Sequence, residues 1–151
     1  MKFYLDTSVW GGYDDIEFSE WTIPFIEQAR KGRFITVLSN VTTGELNGAP
    51  ELIKNLYKTI PERYLERVEI TSEQDELAQK YIIEGALTKK QEADAQHIAI
   101  ATILKVDTLV SWNFNHMVNF YRIKQYNAIN LKYGYTIIDI RSPKEVTYEE
   151  K

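Results

Sequence analysis

Five short apolar runs punctuate the chain: FYLD at Phe3–Asp6, RFITVLS at Arg33–Ser39, RVEI at Arg67–Ile70, TLVS at Thr108–Ser111 and YTIIDI at Tyr135–Ile140. They are largely apolar rather than alternating, the pattern of strands covered on both faces. Helical stretches stand between them. One runs from Ser19 to Lys31 and is stopped by Gly32. A short turn covers Thr42–Leu46, and another stretch covers Pro50–Ile60. A fourth opens at Thr71 or Ser72 and reaches Glu84, and a fifth opens with a Thr88/Gln91 capping box and reaches Lys105. The last runs from an Asn115 cap to Tyr133 and ends at Gly134. Strands that alternate with helices in this way admit few arrangements. The simplest is an α/β domain with a parallel sheet and right-handed crossovers.

In such a sheet, ligands bind beyond the carboxyl ends of the strands. Asp6 ends the first strand, and a carboxylate at the end of a buried strand is expensive unless something compensates it. Other polar residues fall at comparable places. Glu45 follows strand two, and Asn113 and Asn115 follow strand four. Asp94 lies on a helix face shared with Ile98 and Ala101. Converging carboxylates repel, and a divalent cation such as Mg²⁺ or Mn²⁺, which prefers oxygen ligands, is the natural compensation. Each residue also has a plainer reading. Asp6 suits a turn, Glu45 completes a Thr42 capping box, Asp94 suits a helix dipole, and Asn115 suits an N-cap.

The 151 residues suffice for one domain. It is read as residues 1–141, followed by an extended or loose tail over 142–151. With 44% apolar and 26% charged residues, the composition is that of an ordinary soluble domain. No apolar run reaches the ~18 residues of a membrane span, and MKFYLDTSVW breaks too early for a signal peptide. The chain has no cysteine, which removes disulfides, thiolate metal sites and cysteine nucleophiles and suits a cytoplasmic location. A net charge of −4 argues against a nucleic-acid coat protein, which would be basic. An acidic chain acting on nucleic acid needs a basic rim or a bound cation. The histidines are His97 and His116, too few for a histidine-rich zinc site, and His97 is expected to be partly exposed on its helix.

The motifs in order resemble a PIN domain, the nuclease fold of many toxin–antitoxin toxins. LDTSV at Leu5–Val9 matches the family's opening, Glu45 its second acid, and Asp94 in ADAQHIAIA its third. LVSWNFNHM places Asn113 where the family usually has a fourth acid, which is a departure. The resemblance implies a five-stranded parallel sheet of order 3-2-1-4-5 flanked by helices. It implies a metal-dependent endoribonuclease with Asp6, Glu45, Asp94 and Asn113 catalytic and with Mg²⁺ or Mn²⁺ at Asp6, Asp94 and Asn113. Ser8 and Asn115 are candidate substrate contacts. Trp10, Tyr13 and Trp112 are candidates for base stacking, and Lys89 and Lys90 for phosphate contacts. RNA as substrate, a cognate antitoxin as partner and a homodimer are implied by the resemblance alone.

Two enzyme rivals fall on the residues. A haloacid-dehalogenase-type phosphatase needs a second acid where Ser8 stands, and a receiver domain needs an acidic pair that is missing. The remaining rival is a PIN-like domain that has lost full metal binding and acts as a non-catalytic RNA-binding or assembly module, a reading that rests on Asn113.

Overall fold

A computed structural model describes residues 1–148. Strands β1 (Lys2–Leu5), β2 (Ile35–Ser39), β3 (Leu65–Val68), β4 (Thr108–Val110) and β5 (Ile140–Arg141) form one parallel sheet in the order β3-β2-β1-β4-β5. β1 is central because every one of its inner side chains is apolar. Successive residues face opposite sides of a strand. Tyr4 therefore joins Val37 and Leu109 in one apolar core, while Phe3 and Leu5 join Leu38 and Val110 in the other. Helices α5 (Ser72–Ile83), α6 (Glu92–Leu104) and α7 (Phe120–Lys132) cover the first core. Helices α1 (Thr7–Gly11) and α2 (Ser19–Arg30) cover the second. The short helices α3 (Asn40–Leu46) and α4 (Glu51–Lys54) link β2 to β3.

Several local readings change. Asp6, whose plainer reading was a turn, directly precedes the helix α1. The stretch expected over Pro50–Ile60 breaks at Asn55 into α4 and a 3₁₀ turn over Leu56–Thr59. β3 starts two residues earlier than expected. The last strand is cut to two residues because the Asn127 amide takes both backbone groups of Ile138. α7 starts at Phe120 rather than after Asn115. The Asn113 side chain captures the Asn115 and His116 N–H groups, and Asn119 caps the helix by accepting from Arg122 N at 3.2 Å. The expected Thr88/Gln91 capping box is formed, and of the two candidate caps Thr71 and Ser72 it is Thr71 that serves, in a box with Gln74.

The tail read as extended or loose is ordered in its described part. Ser142 caps α8 (Pro143–Val146), and the Gln28 amide clamps the backbone of Tyr148. Residues 149–151 lie outside the described residues. No described helix is long and apolar enough to cross a membrane.

Candidate active site

Asp6 sits at the carboxyl end of the central strand, 3% exposed, its backbone N–H tied to Val110 O at 3.1 Å. Ser8 Oγ donates to Asp6 Oδ1 at 2.5 Å and accepts from Trp112 N at 2.9 Å. Ser8 thus joins the ends of β1 and β4, with its proton committed to Asp6. Ser111 Oγ, 3.3 Å from Ser8 Oγ, accepts from Asn113 N at 2.9 Å.

Glu45 rides on α3. The helix is capped by Ser39, whose Oγ accepts from Thr42 N at 3.3 Å. The Thr42/Glu45 capping box is therefore not made, and Glu45 turns to α1 and α6. Its Oε1 accepts from Thr7 Oγ1 at 2.6 Å and pairs with His97 Nε2 at 2.7 Å.

Asp94 lies in the first turn of α6, half-buried, its Oδ2 3.5 Å from Asn113 Nδ2. Asn113 Oδ1 accepts from Asn115 N and His116 N, each at 3.0 Å. Two backbone donors fix the amide: the oxygen serves the turn, and the NH₂ faces Asp94. Asn115 is exposed and contributes only its backbone N–H to this turn. His116 is held from the other side by Gln91 Nε2, 2.8 Å from its Nε2.

The electrostatics follow from this packing. Burial pushes the Asp6 carboxyl above its ordinary range, against the pull of His97, Ser111 and Ser8. Burial also raises Asp94, and the negative charges of Asp6 and Glu45 raise it further. Burial works to raise Glu45, but its bonds to His97 and Thr7 win and hold it below the usual range. Burial works to lower His97, yet Tyr4, Glu45 and Asp6 outweigh it and push the imidazole up to about 10. The acids around it thus favour the protonated form of His97.

His97 is the residue that sequence reasoning misplaced. It is 1% exposed rather than partly exposed. The signal was its position three residues after Asp94, on the same helical face.

No group of three or more His, Asp or Glu among the described residues is arranged to hold a metal ion. Mg²⁺ does not require such a cage, since it keeps several waters and is usually held by one or two carboxylates. Asp6 and Asp94, the second raised by the charge of the first, fit that donor set. Asn113 reaches Asp94 through its NH₂, since its oxygen already serves two N–H groups.

The aromatic readings change as well. Trp10 and Trp112 are buried in the core, and the Trp112 indole donates to Thr22 Oγ1 at 2.9 Å. Neither is placed to stack on a base. Tyr13 is half-buried beneath Arg30. Phe114, beside Asn113 and 49% exposed, is the aromatic that faces solvent here. Lys89 pairs with Glu92, while Lys90 is exposed and makes no ion pair among the described residues.

A five-stranded parallel sheet in this order, flanked by helices, is a PIN-like fold. No protein-family model matches the sequence, and no curated protein matches it significantly. Solved structures that share the fold include two toxin-system proteins. One is the toxin VapC20 of Mycobacterium tuberculosis, described as cleaving the sarcin–ricin loop. It has a TM-score of 0.56 and 12% identity over 74% of this chain and 89% of its own. The other is VapBC2 of Rickettsia felis bound to a DNA fragment from its promoter. It has a TM-score of 0.57 and 15% identity over 94% of this chain and 98% of its own. At these identities the likeness is one of fold.

Proposed function

We propose that the protein is a Mg²⁺- or Mn²⁺-dependent endoribonuclease, the toxin of a toxin–antitoxin pair, working in the cytoplasm. The observation that carries this reading is a run of contacts among the acid-bearing elements: Ser8 holds Asp6, Glu45 pairs with His97 on the helix that bears Asp94, and Asp94 meets the Asn113 amide after β4. The PIN resemblance and the neighbours' descriptions, a loop-cleaving toxin and a VapBC complex, support the choice of RNA as substrate and of an antitoxin as partner, while self-association rests on the resemblance alone.

Asp6 and Asp94 would hold the cation, which when bound supplies Lewis acidity and a water of lowered pKa. Ser8 fixes the Asp6 carboxylate, and the Asn113 amide steadies Asp94. Glu45, with Oε1 held by Thr7 and His97, keeps Oε2 to orient the attacking water and take up its proton. Phe114 offers a face for an unpaired base and Lys90 a charge for a phosphate.

One observation favours a second reading. The oxygen of Asn113, standing where a fourth acid is usual, is already engaged by two N–H groups. A domain with weakened cation binding would bind RNA, or assemble, without cutting it.

One experiment separates the readings. Total cellular RNA is incubated with wild type, Asp6→Asn and Asp94→Asn, in Mg²⁺, Mn²⁺ or EDTA. The first reading expects cation-dependent cleavage by wild type alone. Equal cleavage by all three proteins, or cleavage that survives EDTA, sinks it. RNA retention without cleavage in either cation favours the second.

A further inference from the structure

The buried polar groups beneath Glu45 form a circuit that the acidic motifs do not explain. Ser39 ends β2 and caps α3. Its Oγ lies 2.6 Å from Tyr4 Oη, in the central strand. Tyr4 Oη lies 2.6 Å from His97 Nδ1, on α6. His97 Nε2 lies 2.7 Å from Glu45 Oε1, on α3, and α3 leads back to Ser39. Three elements are thus tied through one imidazole. Tyr4, Ser39 and His97 are all buried, while the Glu45 side chain is 38% exposed. The buried end of the circuit is fixed, and its outer end reaches the cleft.

We propose that His97 is a positioning residue for Glu45, holding one carboxylate oxygen so that the other serves the cleft. The inference deepens the ribonuclease reading and rests on it. It does not depend on the charge of His97. An ionised Glu45 only accepts, so the proton on the near nitrogen, Nε2, stays between them in either state. As imidazolium, Nδ1–H donates to Tyr4 Oη, and the Tyr4 hydroxyl donates to Ser39. As neutral imidazole, Nδ1 accepts from Tyr4, which in turn accepts from Ser39. Ser39 adapts because its Oγ also lies 3.3 Å from Thr42 Oγ1. The charged groups facing the imidazole are Glu45, Asp6 and Asp94, with the Tyr4 hydroxyl behind it. Thr7 shares Oε1 with His97, so both fixed bonds fall on one oxygen and the carboxylate cannot turn without breaking both.

The test uses the full chain and a labelled RNA fragment carrying a cut site mapped with wild type in total cellular RNA. The variants are Glu45→Gln, His97→Leu, His97→Gln and the double His97→Leu/Glu45→Gln, each with its melting temperature. Removing a group that orients a working carboxylate typically lowers activity ~10–100-fold. His97→Leu should lower kcat by about that factor with KM unchanged. His97→Gln keeps an amide N–H near the position of the imidazole Nε2 and should recover most of the rate. The double variant should be no slower than Glu45→Gln alone, because the two residues act as one unit.

A His97→Leu protein as fast as wild type, beside a slow Glu45→Gln, overturns the inference and leaves the ribonuclease reading intact. So does a double variant slower than Glu45→Gln by the full His97→Leu factor, since that marks general damage. Wild type that leaves the RNA intact overturns both. NMR covers the case of a leucine variant that does not fold, because the histidine ring signals come from only two residues. Glu45→Gln and Tyr4→Phe should each move the His97 ring nitrogens and leave those of His116 in place. His97 signals indifferent to Glu45→Gln overturn the inference.

Discussion

Gly12→Ala places one methyl group where the fold has no room for it. Gly12 follows α1 with φ −65°, a conformation any residue adopts, so its glycine is required for space and not for backbone freedom. A Cβ there would lie 2.7 Å from Thr22 Oγ1, 2.8 Å from Trp112 Nε1 and 2.9 Å from Trp112 Cδ1. The indole cannot retreat easily, being buried and stacked on Phe18 with ring centroids 4.4 Å apart. The methyl group also enters the space of the Trp112–Thr22 hydrogen bond, 2.9 Å long. Overpacking a core costs ~1–3 kcal/mol, and leaving a buried donor unpaired costs ~1–3 kcal/mol. Restricting the unfolded chain returns ~0.4–1 kcal/mol. A net loss of about 3 kcal/mol follows from these ranges, which for a chain of this size lowers Tm by about 6–12 °C. Urea unfolding followed by tryptophan fluorescence measures it. Gly11→Ala is the control, since its Cβ meets nothing within 4 Å; it should be neutral or slightly stabilising. A Gly12→Ala protein within ~0.5 kcal/mol of wild type, the range of ordinary surface changes, would refute the steric argument.

The share of metal-free stability that Asp6 and Asp94 govern should fall as pH rises. Asp6 and Asp94 have folded pKa values raised from an ordinary 3.8, so what they contribute is present below that value and is lost as pH climbs through the raised ones. Thermal melts from acid to neutral pH, with and without Mg²⁺, check this, and a loss that Mg²⁺ fails to reverse counts against a shared cation. His97 acts at the other end: raised from 6.5 to about 10, it contributes fully below 6.5 and loses that contribution toward pH 10. Asp6→Asn and Asp94→Asn should abolish cleavage and leave the metal-free Tm at neutral pH equal or higher, since each removes a costly buried charge; a clear drop in Tm is the adverse result. Asn113→Asp keeps the oxygen that serves the turn but replaces the NH₂ facing Asp94 with a second carboxylate oxygen. Mg²⁺ or Mn²⁺ should then raise Tm at lower concentration, and the metal-free protein should melt earlier; an unchanged metal response places Asn113 away from the cation.

The sheet was readable because parallel strands are covered on both faces and so appear as apolar runs. The last strand was misread because YTIIDI satisfies that pattern while Asn127 takes the Ile138 backbone out of the ladder, a contact between distant residues that no local rule contains. Glu45 was legible as an acid after strand two. Its freedom from the Thr42 box was not, because Ser39, three residues before the predicted turn, took the capping role. His97 was lost for a related reason. A histidine among alanines and isoleucines reads as a surface residue until Tyr4, which lies 93 positions away, supplies a buried partner. Trp10 and Trp112 were credited to the cleft on their position beside it, and burial of large rings in the core decided otherwise.

The central place of β1 also bears on when the site comes into being. Asp6 is made almost first, but the groups that hold it belong to the far half of the chain. Its backbone partner is Val110, and Ser8 meets Trp112 across 104 positions. Contacts this distant form late, because a long loop must close before they contribute anything. A growing chain that has β1, β2 and β3 therefore has Glu45 and Asp6 but no Asp94, no His97 and no fourth strand to seat Ser8. The acidic cluster can be complete only once α6 and β4 have been made. A nascent chain thus lacks the assembled cluster for most of its synthesis.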